Sequence, residues 1–583
     1  MRKDILHKPL FHLFFIIVLI LIAYSNTFHS TFQFDDMPNI VHNPIIKELQ
    51  FFTNPSHTKY FTDDVQYNAF KSRYIGYLTF ALNYKIDQLN VTGYHIFNIL
   101  IHIVNTFLVY CFIILSFRTP FLRKSALKDY FYLIGSLAAV LFAVHPIQTQ
   151  AVTYIVQRFS SLATMFYLLS LVMYIKARHS KITESDVKAK KTLTSSVSKF
   201  IFYLISLSSA ILAMKTKEIA FTLPVTIVLY DFMFFEGKIK ERLFYIMPIF
   251  FTILIIPSNL MGAGKPIGDL INDVRETTRV YTIISRWDYL FTQFRAIVTY
   301  IRLLFLPANQ NLDYEYHIYD SIVNYEVLLS LLLLLSILGL GVYLFYRYRQ
   351  TVPHTRLIAF GIFWFFITLS VESGIIPIAD VIFEHRMYLP SIGIFIAIGT
   401  FFFMVIEKLG DRRKSVKRAI VASLAIIIVL LTSATYARNA IWKYDLSLWK
   451  DVVNKSPGKA RAYNNLGFAY KNQGRIDEAI EHYETAIKLK LTGADVHNNL
   501  GNAYASKGMI DKAIEQYKIA VKIKPEFSEA HNNLGNAYAT KGMIDEAIKH
   551  YETALQIGPN IPEIRDNLNL LYKSKRTINK STK

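Results

Sequence analysis

The chain has 583 residues, with 64 Lys and Arg against 43 Asp and Glu, and its formal net charge is +21 at pH 7. A positive balance of this size suggests nucleic-acid binding in a soluble protein, yet 52% of the residues are hydrophobic, 15% are aromatic and only 18% are charged. This composition excludes disordered and fibrous proteins, and the single cysteine, Cys111, excludes a disulfide scaffold and a cysteine-rich zinc site.

From Leu10 to about Arg438, apolar runs of 15 to 24 residues recur, close to the length of about 20 residues that crosses a bilayer core of about 30 Å. They predict an all-α, polytopic membrane domain of about eleven transmembrane helices in residues 1–438. The runs are Leu10–Ser25, Tyr94–Phe117, Tyr130–Val144, Ser161–Ile175, Phe200–Met214, Ile219–Phe235, Leu243–Pro257, Tyr325–Phe345, Leu357–Val371, Met387–Ile406 and Ala419–Ala437. A cleaved signal peptide is the alternative for the first run, because basic residues precede it.

Basic residues collect in short stretches, which indicates the orientation of the spans because loops rich in Lys and Arg stay cytoplasmic. The stretches hold 26 Lys and Arg against 8 Asp and Glu, and they are 1–8, 117–129, 175–199, 236–242, 346–356 and 407–418. They fall on one side only if 258–323 lies outside, so Tyr289–Leu306 is predicted to be an interfacial or partly buried helix. The C-terminal domain is then outside, and most of the net charge reflects orientation, so no nucleic-acid partner is expected.

A second domain, residues 439–583, has an ordinary soluble composition and an internal period of 34 residues. Asn465, Asn499 and Asn533 keep this spacing, and so do glycine, alanine and tyrosine positions around them. The pattern is the signature of the tetratricopeptide repeat, in which Gly and Ala allow antiparallel helices to approach and Tyr fills the gaps. It predicts an α-solenoid composed of a half-repeat at 441–457, repeats at about 460–493, 494–527 and 528–561, and a capping helix at 562–576.

The first polar motif of the membrane half is Asp35-Asp36, just after the first span. Charges in or beside lipid are costly and are therefore candidates for function. Two adjacent carboxylates cannot both ionise cheaply in an apolar cleft, so one of them could act as a general base. A solvated turn ahead of Pro38 is the alternative.

Three further charged motifs lie at the predicted outer face. The planar fork of Arg158 could hold a phosphate, or the side chain could snorkel to lipid headgroups. Lys217 and Glu218 occupy a very short connection between two spans, where a structural ion pair is the alternative to a functional role. Glu384, His385 and Arg386 offer an anion-binding arginine beside two titratable groups, or an interfacial anchor.

One more polar pattern lies on the second span. Four side chains share one helical face there, which is more typical of interhelical hydrogen bonding than of a ligand set. They are His95, Asn98, His102 and Asn105. No ligand spacing typical of a metal site is present.

These motifs form an ordered series through nearly the whole chain. The series consists of Phe34-Asp35-Asp36, His145-Pro146 with Arg158, Lys217-Glu218 with Pro224, Glu384 to Ser391 (EHRMYLPS), and the repeats. It resembles the transmembrane and tetratricopeptide-repeat O-mannosyltransferases and their bacterial relatives. One departure is Gln150, where many relatives carry an acidic residue.

The resemblance implies a GT-C-type, inverting glycosyltransferase that takes a sugar, mannose by the family name, from a polyprenyl phosphate. The acceptors would be Ser and Thr hydroxyls of proteins at the periplasmic or lumenal face of the membrane. The repeats would lie in the periplasm of a bacterium, anchored in the inner membrane, or in the endoplasmic reticulum lumen of a eukaryote. Because arginine can neutralise a departing monophosphate, neither a metal nor another cofactor is expected.

The same resemblance assigns roles to individual residues. A carboxylate must take the proton of the acceptor hydroxyl, and cations must meet the charge that develops on the phosphate. The expected base is Asp35 or Asp36, with Asp35 the first choice; the phosphate-binding residues are Arg158, Arg386, Lys217 and His385; the supporting residues are His145, Glu218 and Glu384.

Asn465, Asn499 and Asn533 are the expected peptide-binding residues, because they recur on first helices, which line the concave groove of such solenoids. An asparagine amide can bind a peptide backbone in both directions, while helix packing or a turn requirement is the alternative. Two other functions stay open at this point. One is glycosylation of a lipid or cell-envelope glycan, and the other is a non-catalytic membrane scaffold that binds proteins through its repeats.

Overall fold

The computed structural model describes residues 9–55, 58, 64–179, 192–260, 284–347, 352–410, 413–558 and 562–581. The predicted cytoplasmic stretch 1–8 and parts of 175–199, 346–356 and 407–418 lie outside the described residues, as does 261–283 of the predicted outer segment. The chain forms two compact units, Met1–Gln310 with Tyr316–Lys443, and Asn311–Glu315 with Tyr444–Lys583. The described ranges contain helices and no strand, which confirms the all-α prediction.

The first unit is built from apolar helices joined by short polar turns. In chain order its principal helices are α1 (Pro9–Tyr24), α2 (Asp64–Ser72), α3 (Tyr74–Asp87), α4 (Val91–Ser116), α5 (Phe131–Val144), α6 (Arg158–His179), α7 (Thr192–Met214), α8 (Leu223–Phe234), α9 (Ile239–Phe250), α10 (Ile255–Leu260), α11 (Arg286–Phe305), α12 (Tyr325–Arg347), α13 (Thr355–Leu369), α14 (Ser391–Lys408) and α15 (Lys414–Ile441).

Within the described residues, seven helices are long and apolar enough to cross a membrane, namely α4, α5, α6, α7, α12, α14 and α15, with α5 and α6 extended by their preceding turns. Helices α1 and α13 are equally apolar but have 16 and 15 residues. The predicted spans Ile219–Phe235 and Leu243–Pro257 form shorter helices, and Pro248 lies inside α9. Because α12 exposes Leu329 and Leu332 over more than half of their surface, lipid is its natural solvent.

Helix α11 corresponds to the predicted interfacial segment Tyr289–Leu306. Ser285 caps its start by accepting a hydrogen bond from the backbone N–H of Asp288 at 3.1 Å. One face, which includes Tyr289 and Tyr300, is buried in the unit, whereas Trp287 is 61% exposed. Its arginines make α11 less apolar than the seven candidate spans.

The second unit is a stack of helix pairs, which confirms the predicted repeat solenoid. Its helices are α16 (Asp445–Lys455), α17 (Ala460–Asn472), α18 (Ile476–Lys488), α19 (Ala494–Ser506), α20 (Ile510–Ile523), α21 (Ser528–Thr540), α22 (Ile544–Ile557) and α23 (Pro562–Ser581). A Cβ on Gly501 would lie 2.6 Å from the ring of Tyr517, so glycine permits the approach that tyrosine fills.

The second unit also includes Asn311–Glu315, which lies within the predicted membrane domain, residues 1–438. Asp313 forms ion pairs with Arg461 at 2.8 Å and with Lys459 at 3.0 Å. The Ser456 hydroxyl accepts a hydrogen bond from Asn311 Nδ2 at 2.8 Å. At the other end of the unit, α23 packs Ile564 and Leu568 on the last repeat.

Candidate active site

The loop after α1 carries the two predicted catalytic carboxylates, of which Asp36 is fully buried. Its two oxygens accept hydrogen bonds from the backbone N–H groups of Gln33, at 2.8 Å, and Val156, at 2.7 Å. Burial raises the pKa of Asp36 well above its ordinary value, and the two backbone donors act against this rise. Asp36 therefore anchors the loop to the residues that open α6.

Asp35 is half-buried and is held in a different way. Its backbone N–H donates to the Tyr154 hydroxyl at 2.7 Å, and this hydroxyl is also hydrogen-bonded to the Asp35 side chain. The Asp35 carbonyl accepts from Asn39 Nδ2 at 2.9 Å. Since φ of the preceding Phe34 is +43°, a conformation unusual for a bulky residue, the backbone enters the acidic pair through a sharp turn. Of the two acids, Asp35 is the more accessible to a substrate.

Polar contacts lead from Asp35 to a group of charges at the start of α3. The Tyr77 hydroxyl donates to Asn39 Oδ1 at 2.8 Å, and Asn39 holds the Asp35 carbonyl. Tyr77 also lies close enough to Arg73 for each to affect the pKa of the other. The acid and the cations thus belong to one region of the first unit.

Two ion pairs form the core of this charged group. Arg73 donates through Nε and Nη2 to the two oxygens of Glu218, each at 3.2 Å. Lys217 Nζ lies 2.7 Å from Oε1 of Glu372 and donates to the Ser160 hydroxyl at 2.9 Å. Burial by itself would raise the pKa of Glu218, but Arg73 and Lys217 outweigh it, and the pKa is below its ordinary value. The alternative of a structural ion pair between Lys217 and Glu218 does not hold, because Lys217 pairs with Glu372 and Glu218 pairs with Arg73.

His385 lies beside these pairs and is buried. Its backbone N–H donates to Gln150 Oε1 at 2.6 Å. Burial, and then the nearby Lys217, Arg386 and Arg73, hold the pKa of His385 well below its ordinary value, so the ring is neutral. His385 Nδ1 and Gln150 Nε2 are buried and have no hydrogen-bond partner among the described residues.

Arg158, one of the two arginines expected to bind the donor phosphate, is fully buried. Its guanidinium donates to Asn98 Oδ1 at 2.7 Å and to Asn83 Oδ1 at 2.5 Å. It also donates to the carbonyls of Tyr94 at 3.0 Å and Thr79 at 3.3 Å. A phosphate could reach Arg158 only by displacing these partners, so the geometry favours a role in joining α3, α4 and α6.

Arg386 is likewise engaged by the protein and only 4% exposed. It donates to the carbonyls of Val381 at 2.8 Å, Asp380 at 2.6 Å and Glu372 at 3.3 Å. The guanidinium therefore holds the turn between α13 and α14 in place. Because its hydrogen bonds are already made to the backbone, Arg386 can act on a substrate through its charge and not through free donors.

The two remaining predicted supporting residues, His145 and Glu384, are buried. His145 Nε2 contacts the Leu304 carbonyl at 3.1 Å, and Nδ1 accepts from the Ile147 N–H at 3.2 Å. Burial lowers the pKa of His145 to about 4. Glu384 accepts a hydrogen bond from Gln310 Nε2 at 2.7 Å. These contacts suit a supporting role and provide no open group for a substrate.

In the second unit, the predicted peptide-binding asparagines take part in a ladder between first helices. Asn499 Nδ2 donates to Asn464 Oδ1 at 3.1 Å, and Asn533 Nδ2 donates to Asn498 Oδ1 at 3.0 Å. This geometry supports the helix-packing alternative for both. Asn465 differs, because its Nδ2 is buried without a hydrogen-bond partner among the described residues.

Four residues of the site were not predicted from the sequence. Arg73, Tyr154 and Glu372 contact the predicted residues Glu218, Asp35 and Lys217, and Tyr77 contacts Asn39. Glu372 had a detectable signal, since it is an acidic residue directly after an apolar run. Arg73 lies in an ordinary polar segment, and no sequence signal identifies it. In the part of the chain that is described, no three His, Cys, Asp or Glu side chains converge as metal ligands.

The chain is similar to curated proteins over most of its length. It is 27% identical over 501 residues to a protein O-mannosyl-transferase of Caenorhabditis elegans, covering 82% of this chain and 62% of the relative. It is 23% identical over 508 residues to a protein O-mannosyl-transferase of Homo sapiens, covering 80% and 54%. The family resemblance seen in the motifs is confirmed, and the chain spans between half and two-thirds of the length of these relatives.

The repeats are matched separately. The family described as TPR repeat matches residues 469–508 and 501–542, and the family described as Tetratricopeptide repeat matches residues 528–561. Among solved structures, the crystal structure of MamA is 25% identical with a TM-score of 0.23, covering 24% of this chain and 83% of MamA.

Proposed function

We propose that the chain is an integral-membrane glycosyltransferase that moves a sugar from a polyprenyl phosphate to Ser or Thr hydroxyls of proteins, on the periplasmic or lumenal face. Mannose is the proposed sugar, because the similar proteins are named protein O-mannosyl-transferases. The observation that carries the proposal is a half-buried carboxylate, Asp35, which Asn39 and Tyr77 link to a group of charges containing Arg73 and Lys217.

In the proposed reaction the acceptor oxygen attacks the anomeric carbon of the sugar. The bond from that carbon to the phosphate oxygen breaks, and the configuration at the carbon inverts. The hydroxyl proton passes to the Asp35 carboxylate, which Tyr154 orients, as general-base catalysis requires. The leaving polyprenyl phosphate gains a negative charge, which Lys217, Arg73 and Arg386 stabilise in a largely desolvated site.

The repeats are proposed to bind the acceptor polypeptide. Asn465 is the best placed of the three predicted asparagines, because its buried amide nitrogen lacks a partner among the described residues. An extended peptide backbone offers the carbonyl that this donor needs. Asn499 and Asn533 could bind a peptide only by giving up their hydrogen bonds to Asn464 and Asn498.

The proposal is tested with purified protein, a radiolabelled polyprenyl-phosphate mannose and a Ser/Thr-containing acceptor peptide. Asp35→Asn should reduce transfer by at least about 100-fold, the usual size of a general-base contribution. Glu48→Gln, an exposed acid in the same loop, is the matched control and should transfer normally. Full transfer by Asp35→Asn would refute the assigned base.

A glycopeptide comparison of wild-type and deletion strains separates this function from glycosylation of an envelope glycan. Loss of sugar from specific proteins in the deletion strain supports protein glycosylation. A complete protein glycosylation pattern together with an altered envelope glycan would refute it.

A further inference from the structure

The loop that carries Asp35 is tied to residues 439–443, which we call the α15 end. The backbone N–H of Thr31 donates to the Lys443 carbonyl at 3.2 Å. Gln33 Nε2 donates to the Trp442 carbonyl at 3.5 Å and to the Thr31 hydroxyl at 2.9 Å. The α15 end therefore holds the segment of the loop that leads into the acidic pair.

A buried aromatic pair makes a second link between the α15 end and Asp35. The rings of Trp442 and Tyr154 have centroids 5.3 Å apart and planes inclined at 33°, and each residue is 1% exposed. The Tyr154 hydroxyl is the group that is hydrogen-bonded to the backbone N–H and to the side chain of Asp35. Since a tyrosine hydroxyl moves with its ring, any shift of this ring moves the group that holds Asp35.

Trp442 contributes to this contact through the packing of its ring. Its indole Nε1 is buried and has no hydrogen-bond partner among the described residues, whereas a buried tryptophan N–H usually finds one. The shape and position of the ring, and not a donated hydrogen bond, are therefore what Trp442 supplies to Tyr154. A phenylalanine ring at this position should preserve most of the contact.

The α15 end is itself fixed to its neighbours. Asn439 Nδ2 donates to the carbonyl of Ala23, in the last turn of α1, at 2.9 Å. Asn439 Oδ1 accepts from the Thr153 hydroxyl at 2.8 Å. Thr153 directly precedes Tyr154 in the chain, so Asn439 and Trp442 hold the same short segment. Both rings of the aromatic pair are thus located by the same framework.

We infer that Trp442 is a positioning residue for the proposed base, and that it acts on Asp35 by fixing the ring of Tyr154. Trp442 is buried and acts without touching the substrate. This inference rests on the proposed function and adds to it the α15 end, to which no role in the reaction has been given. Good positioning matters because a misplacement of about 1 Å can slow a reaction by about 100-fold.

The inference is tested by steady-state transfer with the purified full chain, radiolabelled polyprenyl-phosphate mannose and an acceptor peptide. Trp442→Leu should lower kcat by at least about tenfold and leave the KM for the donor nearly unchanged, because it misplaces the base without removing a donor contact. Trp442→Phe should stay within about threefold of the wild-type kcat, because it keeps a ring. Tyr436→Leu is the matched control, since it removes a ring that is 47% exposed near the same end of α15, and it should transfer normally.

A double-mutant cycle tests the route through Tyr154. Tyr154→Phe removes the hydroxyl that holds Asp35, so adding Trp442→Leu to it should lower kcat by less than about twofold further. A full tenfold further loss would overturn the route and leave Trp442 a merely structural residue. A kcat in Trp442→Phe as low as that in Trp442→Leu would overturn the role of ring packing.

The outcomes also separate this inference from the proposed function and from misfolding. A wild type that transfers no sugar would refute the proposed function. A wild type that transfers, together with a wild-type kcat in Trp442→Leu, would overturn the inference and leave the proposed function standing. Each variant is assayed below its own thermal midpoint. If Trp442→Leu does not fold, Trp442→Met, which fills more of the space without a ring, takes its place in the cycle with the same expected result.

Discussion

Replacing Arg158 distinguishes a structural arginine from a phosphate ligand. In Arg158→Leu, two buried amide oxygens, Asn98 Oδ1 and Asn83 Oδ1, lose their donor, and the helical carbonyls of Tyr94 and Thr79 lose a second one. An orphaned buried acceptor costs roughly 1–3 kcal/mol, and relaxation reduces the sum, so we expect a loss of about 3–5 kcal/mol in the free energy of unfolding. For a unit of this size, the thermal midpoint should fall by roughly 3–5 °C.

The assay combines thermal unfolding in detergent with donor binding under conditions where the variant is still folded. A structural role predicts a lower midpoint and a nearly unchanged dissociation constant for the donor. Arg158→Lys should be intermediate, because an ammonium cannot reproduce the planar fork. Arg123→Lys, at an exposed position, is the control for general effects. An unchanged midpoint together with lost donor binding would refute the structural assignment and restore the phosphate contact.

Three further predictions concern stability. Asp36→Asn turns an amide N–H₂ towards a backbone donor and should lower the free energy of unfolding by about 1–3 kcal/mol. Asp35→Asn should unfold like the wild type. Equal effects of the two substitutions would contradict the different environments of the two acids. The folded pKa of His145 is lowered to about 4, so the unfolded state binds the extra proton. Stability should therefore fall as the pH drops from about 6.5 towards 4, by up to about 1.4 kcal/mol per pH unit. In His145→Gln, the thermal midpoint should depend less steeply on pH. A variant whose midpoint falls with pH as steeply as that of the wild type would exclude His145 as the source. Gly501→Ala drives a Cβ to 2.6 Å from the Tyr517 ring and should cost about 1–3 kcal/mol, while Gly493→Ala, with open space around it, should be nearly neutral; equal midpoints would show that the close approach is dispensable.

The sequence by itself determined the elements that depend on local pattern. Apolar runs of membrane length specify the helices of the first unit, because a chain in lipid must satisfy its backbone hydrogen bonds internally. The 34-residue period specifies the repeats, because each Gly and Tyr position, such as Gly501 and Tyr517, recurs with the helix pair it serves. The sequence also predicts that Asp35 lies at a membrane face, because it follows the first apolar run.

Only the tertiary structure decided which polar side chains act together. Arg73 and Glu218 are far apart in the chain, and so are Lys217 and Glu372, yet each pair meets. Arg158 looked like an available cation because a sequence does not show that Asn83 and Asn98 will enclose it. The physical reason is that burial and pairing depend on contacts between distant segments, whereas helix formation and hydrophobic periodicity are properties of neighbouring residues.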